Sequence, residues 1–297
     1  MIDVTLLTCK AYHAPSEITP YIQNILDEYH LLKSALEAKG LTVARTYWDD
    51  PSFDWTQTRC IVFRTIWDYF ERFEEFMQWL EQVKGQTQLI NPFELITWNI
   101  DKHYLADLQG KGVPIIPTHF VDKGKEESLQ EICNKKNWKD VVIKPAVSGA
   151  AFHTYKIMAA EVSQNESLFK QLTKERDMLV QPYISTITHK GEASLMLFNG
   201  KYTHAIRKKA KSGDFRVQDD FGGTVHPYTP TTNEIELAYK AFAACAFMPA
   251  YGRADMVWDE DGNPLISELE IIEPELWIRN NPASAHTLAE GIIRYMK

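Results

Sequence analysis

Apolar positions along the chain follow two alternating periods. "IDVTLLTC" (2–9), "LTVARTYW" (41–48) and "RCIVFRTIW" (59–67) are short apolar runs of strand type. "NILDEYHLLKSALEAKG" (24–40) and "RFEEFMQWLEQVKG" (72–85) space their apolar residues as helices do and stop at Gly40 and Gly85. This alternation over the first 90 residues predicts a small parallel α/β domain, with ligands at the carboxyl ends of its strands. After "LINP" (89–92) the pattern shifts. A helix is expected over 99–112, an extended run over 113–121, and two strands over 140–157 joined by the small-residue loop "AVSGAA" (146–151). A helix over 165–175 and a strand over 178–184 follow. "SLMLFNGKYTHAI" (194–206) reads as a hairpin on an Asn199–Gly200 type I′ turn. A helix near 233–247 leads to a second hairpin, "YGRADMVWDEDGNPLISELEII" (251–272), turning at 259–263.

That second hairpin carries an unusual load of carboxylates. Side chains alternate faces along a strand, so Glu268 and Glu270 share one face, roughly 7 Å apart. Asp255 pairs across from a position within about one residue of Glu268. Asp255, Glu268 and Glu270 therefore converge, and ionised carboxylates on a half-buried surface repel one another unless a positive charge stands between them. An oxygen-only set suits Mg²⁺ or Mn²⁺ rather than zinc. The alternative is a solvated acidic edge that blunts aggregation. Glu273 and Glu275, flanking Pro274, are expected to be exposed.

Cations and polar backbone complete a possible nucleotide site. Lys144 ends the apolar run "VVI", where a charge either snorkels from an edge or reaches an anion. The loop after it, with Ser148 and Gly149, can bring backbone N–H groups onto phosphates, or serve as an ordinary turn. Lys102 follows Asp101 in a predicted helix, where a surface ion pair is the alternative. In "VQPYI" the Pro182 carbonyl and the Ile184 N–H are spaced to read a base, and Pro182 forfeits no needed donor there. Glu192 is placed to accept from ribose hydroxyls. "RKKAKSGDFRVQDDFGG" (207–223) collects Arg207, Lys208, Lys209, Lys211 and Arg216 in an expected basic loop. Arg64, Trp67, Asp68 and Tyr69 follow the strand "CIVF". Arg64 is placed to anchor a substrate carboxylate and Asp68 an amino group; the alternative is a packing and capping cluster.

Composition narrows the partners. The formal net charge of −8 over 297 residues argues against nucleic acid or an anionic membrane as the main partner, leaving a small molecule. Cys9, Cys60, Cys133 and Cys245 are scattered without a CxxC pair, as reduced thiols in a cytoplasmic protein would be. "MIDVTLLTCK" lacks the basic start and long apolar core of a signal peptide, and no window approaches 18 consecutive apolar residues.

In order along the chain, Lys102, Lys144–Pro145, "QPYI", Glu192, "GDFRVQ", "RADMV" and "SELEIIEP" resemble the ATP-grasp superfamily. "RTIWDYFERFEEFMQWL" and "NPFELITWNIDKHYLADLQGKGVPIIPT" are similar to its subgroup of cycloserine-forming cyclo-ligases and glutathione-synthetase-like proteins. The resemblance implies an α/β and α+β fold: an N-terminal substrate domain (1–92), a central lid subdomain (93–185) and a C-terminal subdomain with the metal site (186–297). It implies ATP and Mg²⁺ (or Mn²⁺), a carboxylate activated as an acylphosphate, and displacement of phosphate by an amine. Matching positions assign phosphates to Lys102 and Lys144, adenine to the backbone of Pro182 and Ile184, and ribose to Glu192; Ser148, Gly149, Gln181, Tyr183 and Lys208 complete the expected cofactor-binding set. They assign metal to Asp255, Glu268 and Glu270. Arg253 would stabilise the acylphosphate and oxyanion, and Arg216 would grip the transferring phosphoryl group or the substrate carboxylate. Gln181 stands where many relatives have Glu, and Glu270 where many have Asn. An amino-acid-like substrate and the family habit of a homodimer complete the expectation. A small-molecule kinase and a catalytically silent nucleotide-binding protein are the competing readings.

Overall fold

Strands β1 (Ile2–Thr8), β2 (Val43–Tyr47), β3 (Thr58–Thr65) and β4 (Gln88–Ile90) form an all-parallel sheet in the order β2–β1–β3–β4. The computed structural model describes residues 1–149, 151–211 and 222–296. Between these strands lie α1 (Lys10–His13), α2 (Pro20–Glu37) and α3 (Phe73–Val83). Helix α2 starts four residues before the expected 24, because Thr19 caps the Ile22 N–H and Pro20 sits in the first turn, where its missing donor costs nothing. Strand β4 falls within the segment expected to be a boundary; at three residues it is too short to show a period.

The expected helix 99–112 is two helices, α4 (Phe93–Asn99) and α5 (Tyr104–Gly110), with Lys102 in the turn between them. Strand β5 (His119–Val121), helix α6 (Leu129–Lys136), β6 (Val141–Pro145), β7 (Tyr155–Ile157), α7 (Glu166–Glu175) and β8 (Met178–Pro182) follow. The strands pair antiparallel in the order β5–β8–β6–β7. Then come α8 (Ile187–Lys190), β9 (Glu192–Phe198), β10 (Lys201–Lys209), β11 (Thr224–Tyr228), α9 (Thr232–Ala243), β12 (Tyr251–Trp258), β13 (Pro264–Glu270) and α10 (Ser284–Tyr295). Their sheet is antiparallel in the order β11–β10–β9–β12–β13. Asn199 and Gly200 both have positive φ, 52° and 71°, as the type I′ turn between β9 and β10 requires. No helix among the described residues is long and apolar enough to cross a membrane, and all four cysteines are buried and free.

Strand β13 lies at a sheet edge, yet its backbone groups are covered. Asn99 donates to the Leu269 carbonyl at 2.7 Å and accepts from the Ile271 N–H at 3.0 Å. Tyr104 Oη accepts from the Leu269 N–H, and Asn91 donates to the carbonyls of Ile271 and Tyr251. The segment after β4 thus straps the edge that a free strand would expose. Helix α10 packs Leu288 and Ile292 against Leu32 and Leu36 of α2 in one core. Gly291 permits that approach, since a Cβ there would lie 2.7 Å from the Ala250 carbonyl.

Gly191, between α8 and β9, combines φ 78° with ψ −157°, a region essentially closed to other residues. A Cβ there would stand 2.2 Å from the Lys208 carbonyl on β10. Gly191→Ala is therefore expected to destabilise the protein by about 2–4 kcal/mol through backbone strain and forced displacement. Urea melts check this; an unchanged midpoint would mean that β9 and β10 do not pack as closely as described.

Candidate active site

The central and C-terminal antiparallel sheets face each other across a cleft of about 430 Å³, closed at one end by Trp67, Tyr69 and Phe70 of the N-terminal domain. Its floor is the β12–β13 hairpin. Asp255 pairs with Glu268 and Arg253 with Glu270, in the register expected from the sequence, with a bulge after Asp255. The first positive charge among these carboxylates is the chain's own. Arg253, 6 % exposed, donates to both oxygens of Asp255, at 2.8 and 2.7 Å, and to Glu270. A residue and its i+2 neighbour share a face, so the fork is built into one strand. The ring of Trp277 lies 5.2 Å from the Arg253 guanidinium.

Three lysines surround the hairpin. Lys102 Nζ donates to the Ser148 carbonyl at 2.6 Å and lies 2.9 Å from Glu268. It is buried, so the surface pair with Asp101 is corrected: the turn between α4 and α5 aims Lys102 inward. Lys208, also buried, contacts Glu192 and lies 3.3 Å from Asp255. Arg207, Lys208 and Lys209 belong to β10 and not to a loop. Alternation turns Lys208 into the cleft, while Arg207 lies over the rings of Tyr228 and Trp258. Lys144 enters from β6, half-buried, with no ion pair within 4.0 Å among the described residues. Arg216 and the "GDFRVQ" motif lie outside the described residues.

The electrostatics divide the three carboxylates. Burial alone would raise Asp255, but Arg253 and Lys208 outweigh it and hold the carboxyl well below the usual range. Burial likewise works against Glu268, where Lys102 and Lys144 prevail and lower it. At Glu270 burial wins: Arg253 offsets it only in part, and Glu268 adds repulsion, so this carboxyl is raised. The resident cations therefore favour the ionised form at Asp255 and Glu268, and outweigh burial less well at Glu270. Arg253 spaces the carboxylates apart here. The described residues whose ligand atoms fall within 4.8 Å of one another are instead Asp101, His103 and Asp177, at half-exposed positions.

At the opposite wall, Tyr183 N–H bonds to the Asp140 carbonyl at 2.8 Å. Backbone groups alternate sides along an extended segment, which turns the Pro182 carbonyl and Ile184 N–H away from β6. Pro182, Tyr183, Ile184, Gln181, Ser148 and Gly149 all line the cleft. Gln181 donates to Thr118 at 2.9 Å, and Glu192 accepts from Ser267 at 3.2 Å. Glu273 and Glu275, expected to be exposed, are half-buried and line the same cleft, because the chain turns inward after β13. Burial pushes Glu273 up to about 7.

Arg64 and Asp68 are not brought together. Asp68 accepts from the Trp48 indole at 2.9 Å, lies 3.6 Å from Arg72 and lines neither cavity, a placement that matches the packing alternative and gives the expected hold on a substrate amino group no support. Arg64 borders a small enclosed pocket of about 30 Å³ with Glu28, Arg279 and Trp67. Its Nη2 donates to the Pro274 carbonyl at 3.2 Å, and its buried Nη1 has no hydrogen-bond partner among the described residues. Glu28 accepts from Arg279 at 2.8 Å, yet burial and the nearby Glu275 push it up to about 7. A raised carboxyl stabilises the fold fully below its ordinary 4.5, and this contribution is lost as pH rises through about 7. Glu28→Gln should flatten the dependence of Tm on pH between about 4.5 and 7. An unchanged slope would remove Glu28 as its source. The Glu28–Arg279 pair was not legible in the sequence, as its members lie 251 residues apart.

The fold and this cleft are those of an ATP-grasp enzyme. Residues 106–274 match the RimK-like ATP-grasp domain and residues 4–91 the N-terminal domain of D-cycloserine synthetase DcsG. The chain belongs to the RimK-like ATP-grasp family and is an ATP-dependent carboxylate–amine ligase. It is 30% identical over 285 residues to the cycloserine biosynthesis protein DcsG of Streptomyces lavendulae, covering 90% of this chain and 93% of that one. The crystal structure of D-cycloserine synthetase DcsG superposes with a TM-score of 0.88 at 27% identity, over 99% of both chains. A D-alanine–D-alanine ligase from Bacillus anthracis, solved with ATP, shares the fold with a TM-score of 0.63 at 12% identity, over 100% of this chain and 97% of that one.

Proposed function

We propose that the protein uses Mg²⁺-ATP to activate the carboxylate of an amino-acid-like substrate and joins it to an amine in a C–N bond. Intramolecular ring closure is favoured by the likeness to DcsG along nearly its whole length. The observation that carries the reading is Lys144, a half-buried ammonium with no ion pair within 4.0 Å among the described residues, which lines the same cleft as Glu268. A cation held close to an under-neutralised carboxylate set, but in no direct pair, fits a polyphosphate bridged by a divalent metal.

In this reading the chain divides into a substrate domain (1–92), a lid (93–185) and a metal-bearing subdomain (186–297). Asp255, Glu268 and Glu270 would hold magnesium, whose charge supports in-line transfer of the terminal phosphoryl group. Lys102, Lys144 and Lys208, with Ser148 and Gly149, bind phosphates. Pro182 and Ile184 read adenine by their backbone groups, beside Gln181 and Tyr183, and Glu192 accepts from the ribose. Arg253 neutralises the acylphosphate and then the tetrahedral oxyanion as the amine nitrogen attacks, the C–O bond breaks and phosphate leaves. Arg64 is the proposed anchor of a substrate carboxylate, from the small pocket that shares Trp67 and Glu275 with the cleft. No side chain acts as a nucleophile, and closure excludes water from the acylphosphate.

The test is hydroxylamine trapping. ADP release that depends on an added amino acid, with a hydroxamate as product, is expected of a carboxylate ligase. ADP release with a stable phosphate ester and no hydroxamate would identify a kinase instead.

A further inference from the structure

With Asp68 turned away, the amino end of a substrate has no partner from the expected set. The cleft offers another. Tyr12 follows β1, Tyr21 opens α2 and Trp67 follows β3, so three separate segments bring their rings to one corner. Ring centroids stand 5.8 Å apart for Tyr12–Trp67 and 6.3 Å for both Tyr12–Tyr21 and Tyr21–Trp67. All three line the cleft that holds Lys102 and Asp255. Glu273 joins them from the C-terminal subdomain. The Trp67 indole donates to its carbonyl at 2.8 Å, and its carboxyl bonds the Tyr69 hydroxyl. Among the described residues Glu273 has no ion-pair partner, whereas Glu268, Glu270 and Glu275 each have one.

We propose that Glu273, which lines the same cleft as Tyr12, Tyr21 and Trp67 and takes the Trp67 indole N–H on its backbone carbonyl, binds the primary ammonium of the amino-acid substrate and sets specificity for it. This rests on the ligase reading above. Aromatic faces attract a cation, and an ammonium beside Glu273 would favour the ionised form of its carboxyl. Lys102, Lys144, Lys208 and Arg253, which line the same cleft, do the reverse. The two regions sort a zwitterion by its ends: the carboxylate goes toward the phosphoryl donor, and the ammonium goes to the ringed corner. A substrate with its amine acylated would present neither charge nor the full set of donors there.

The experiment pairs wild type with Glu273→Gln, a substitution of like size. Amino acids of both hands, and their N-acetyl counterparts, are assayed for hydroxamate with ATP and Mg²⁺. Wild type should prefer the free amine by roughly ten- to hundredfold in kcat/KM, the worth of a charge-assisted hydrogen bond. Glu273→Gln should collapse that preference chiefly through KM for the amino acid, leaving KM for ATP unchanged. Tyr12→Leu and Tyr21→Leu should reduce it in part, so the inference does not hang on a single variant. Hydroxamate from wild type with the free-amine preference intact in Glu273→Gln would overturn this assignment alone. No hydroxamate from wild type with any amino acid would overturn it together with the ligase reading.

Discussion

Glu268→Gln should lower ligase turnover by about a thousandfold while ATP still binds. Glu268 sits on β13, opposite Asp255, and Lys102 and Lys144 keep it ionised. An amide retains an oxygen for Lys102 and nearly the same volume, so the hairpin should persist. What it loses is the charge that would attract a divalent cation. Adenine contacts are assigned to the end of β8 and the residues after it, on another sheet, so nucleotide affinity should change little. Hydroxamate formation and calorimetric titration with a non-hydrolysable ATP analogue measure the two quantities separately. Near-normal turnover in Glu268→Gln would remove the metal assignment.

The second large effect is at Arg253. Arg253→Lys keeps one positive charge but cannot span both oxygens of Asp255 and reach Glu270 together. A loss of about a hundredfold or more in kcat is expected, with amino-acid KM much less affected, since the group acts on charge that develops during reaction. Arg253→Met removes the charge and leaves Asp255, 2 % exposed, with Lys208 as its remaining cation. Stability should fall by about 3–5 kcal/mol, as when one partner of a buried pair is deleted. Single-turnover kinetics and urea melts measure the two variants. Equal losses of stability in both, without a kinetic defect in Arg253→Lys, would make Arg253 a structural residue only.

Much of the architecture was legible because its signals are local. Asn199–Gly200 demands positive φ, and the 259–263 turn set the register that pairs Asp255 with Glu268. The N-terminal strands announced a parallel sheet by alternating with amphipathic helices. Helix α6 spans only eight residues, too few to show a period, and α10 carries Gly291, whose role is its close approach to the Ala250 carbonyl. The strap on β13 consists of single side chains, Asn91, Asn99 and Tyr104, acting as backbone partners, and no pattern encodes that.

The site divides in the same way. Asp255, Glu268 and Lys144 were visible because charges inside apolar strand runs demand an explanation. Lys102 was harder, since its helical pattern hid the turn between α4 and α5. Asp68 parts from Arg64 because adjacency in sequence says nothing of which way each side chain leaves the strand end. Trp48, its partner, is 20 residues away. Glu273 and Glu275 looked like solvent-facing flanks of Pro274, and only the inward turn after β13 reveals them as cleft walls.

The most direct measurement is anomalous diffraction from crystals grown with Mn²⁺ and a non-hydrolysable ATP analogue. Manganese density between the carboxylates of Asp255, Glu268 and Glu270, touching the analogue's phosphates, is the expected result. Density only among Asp101, His103 and Asp177, or a nucleotide bound with no metal at the hairpin, would contradict the assignment of the cleft.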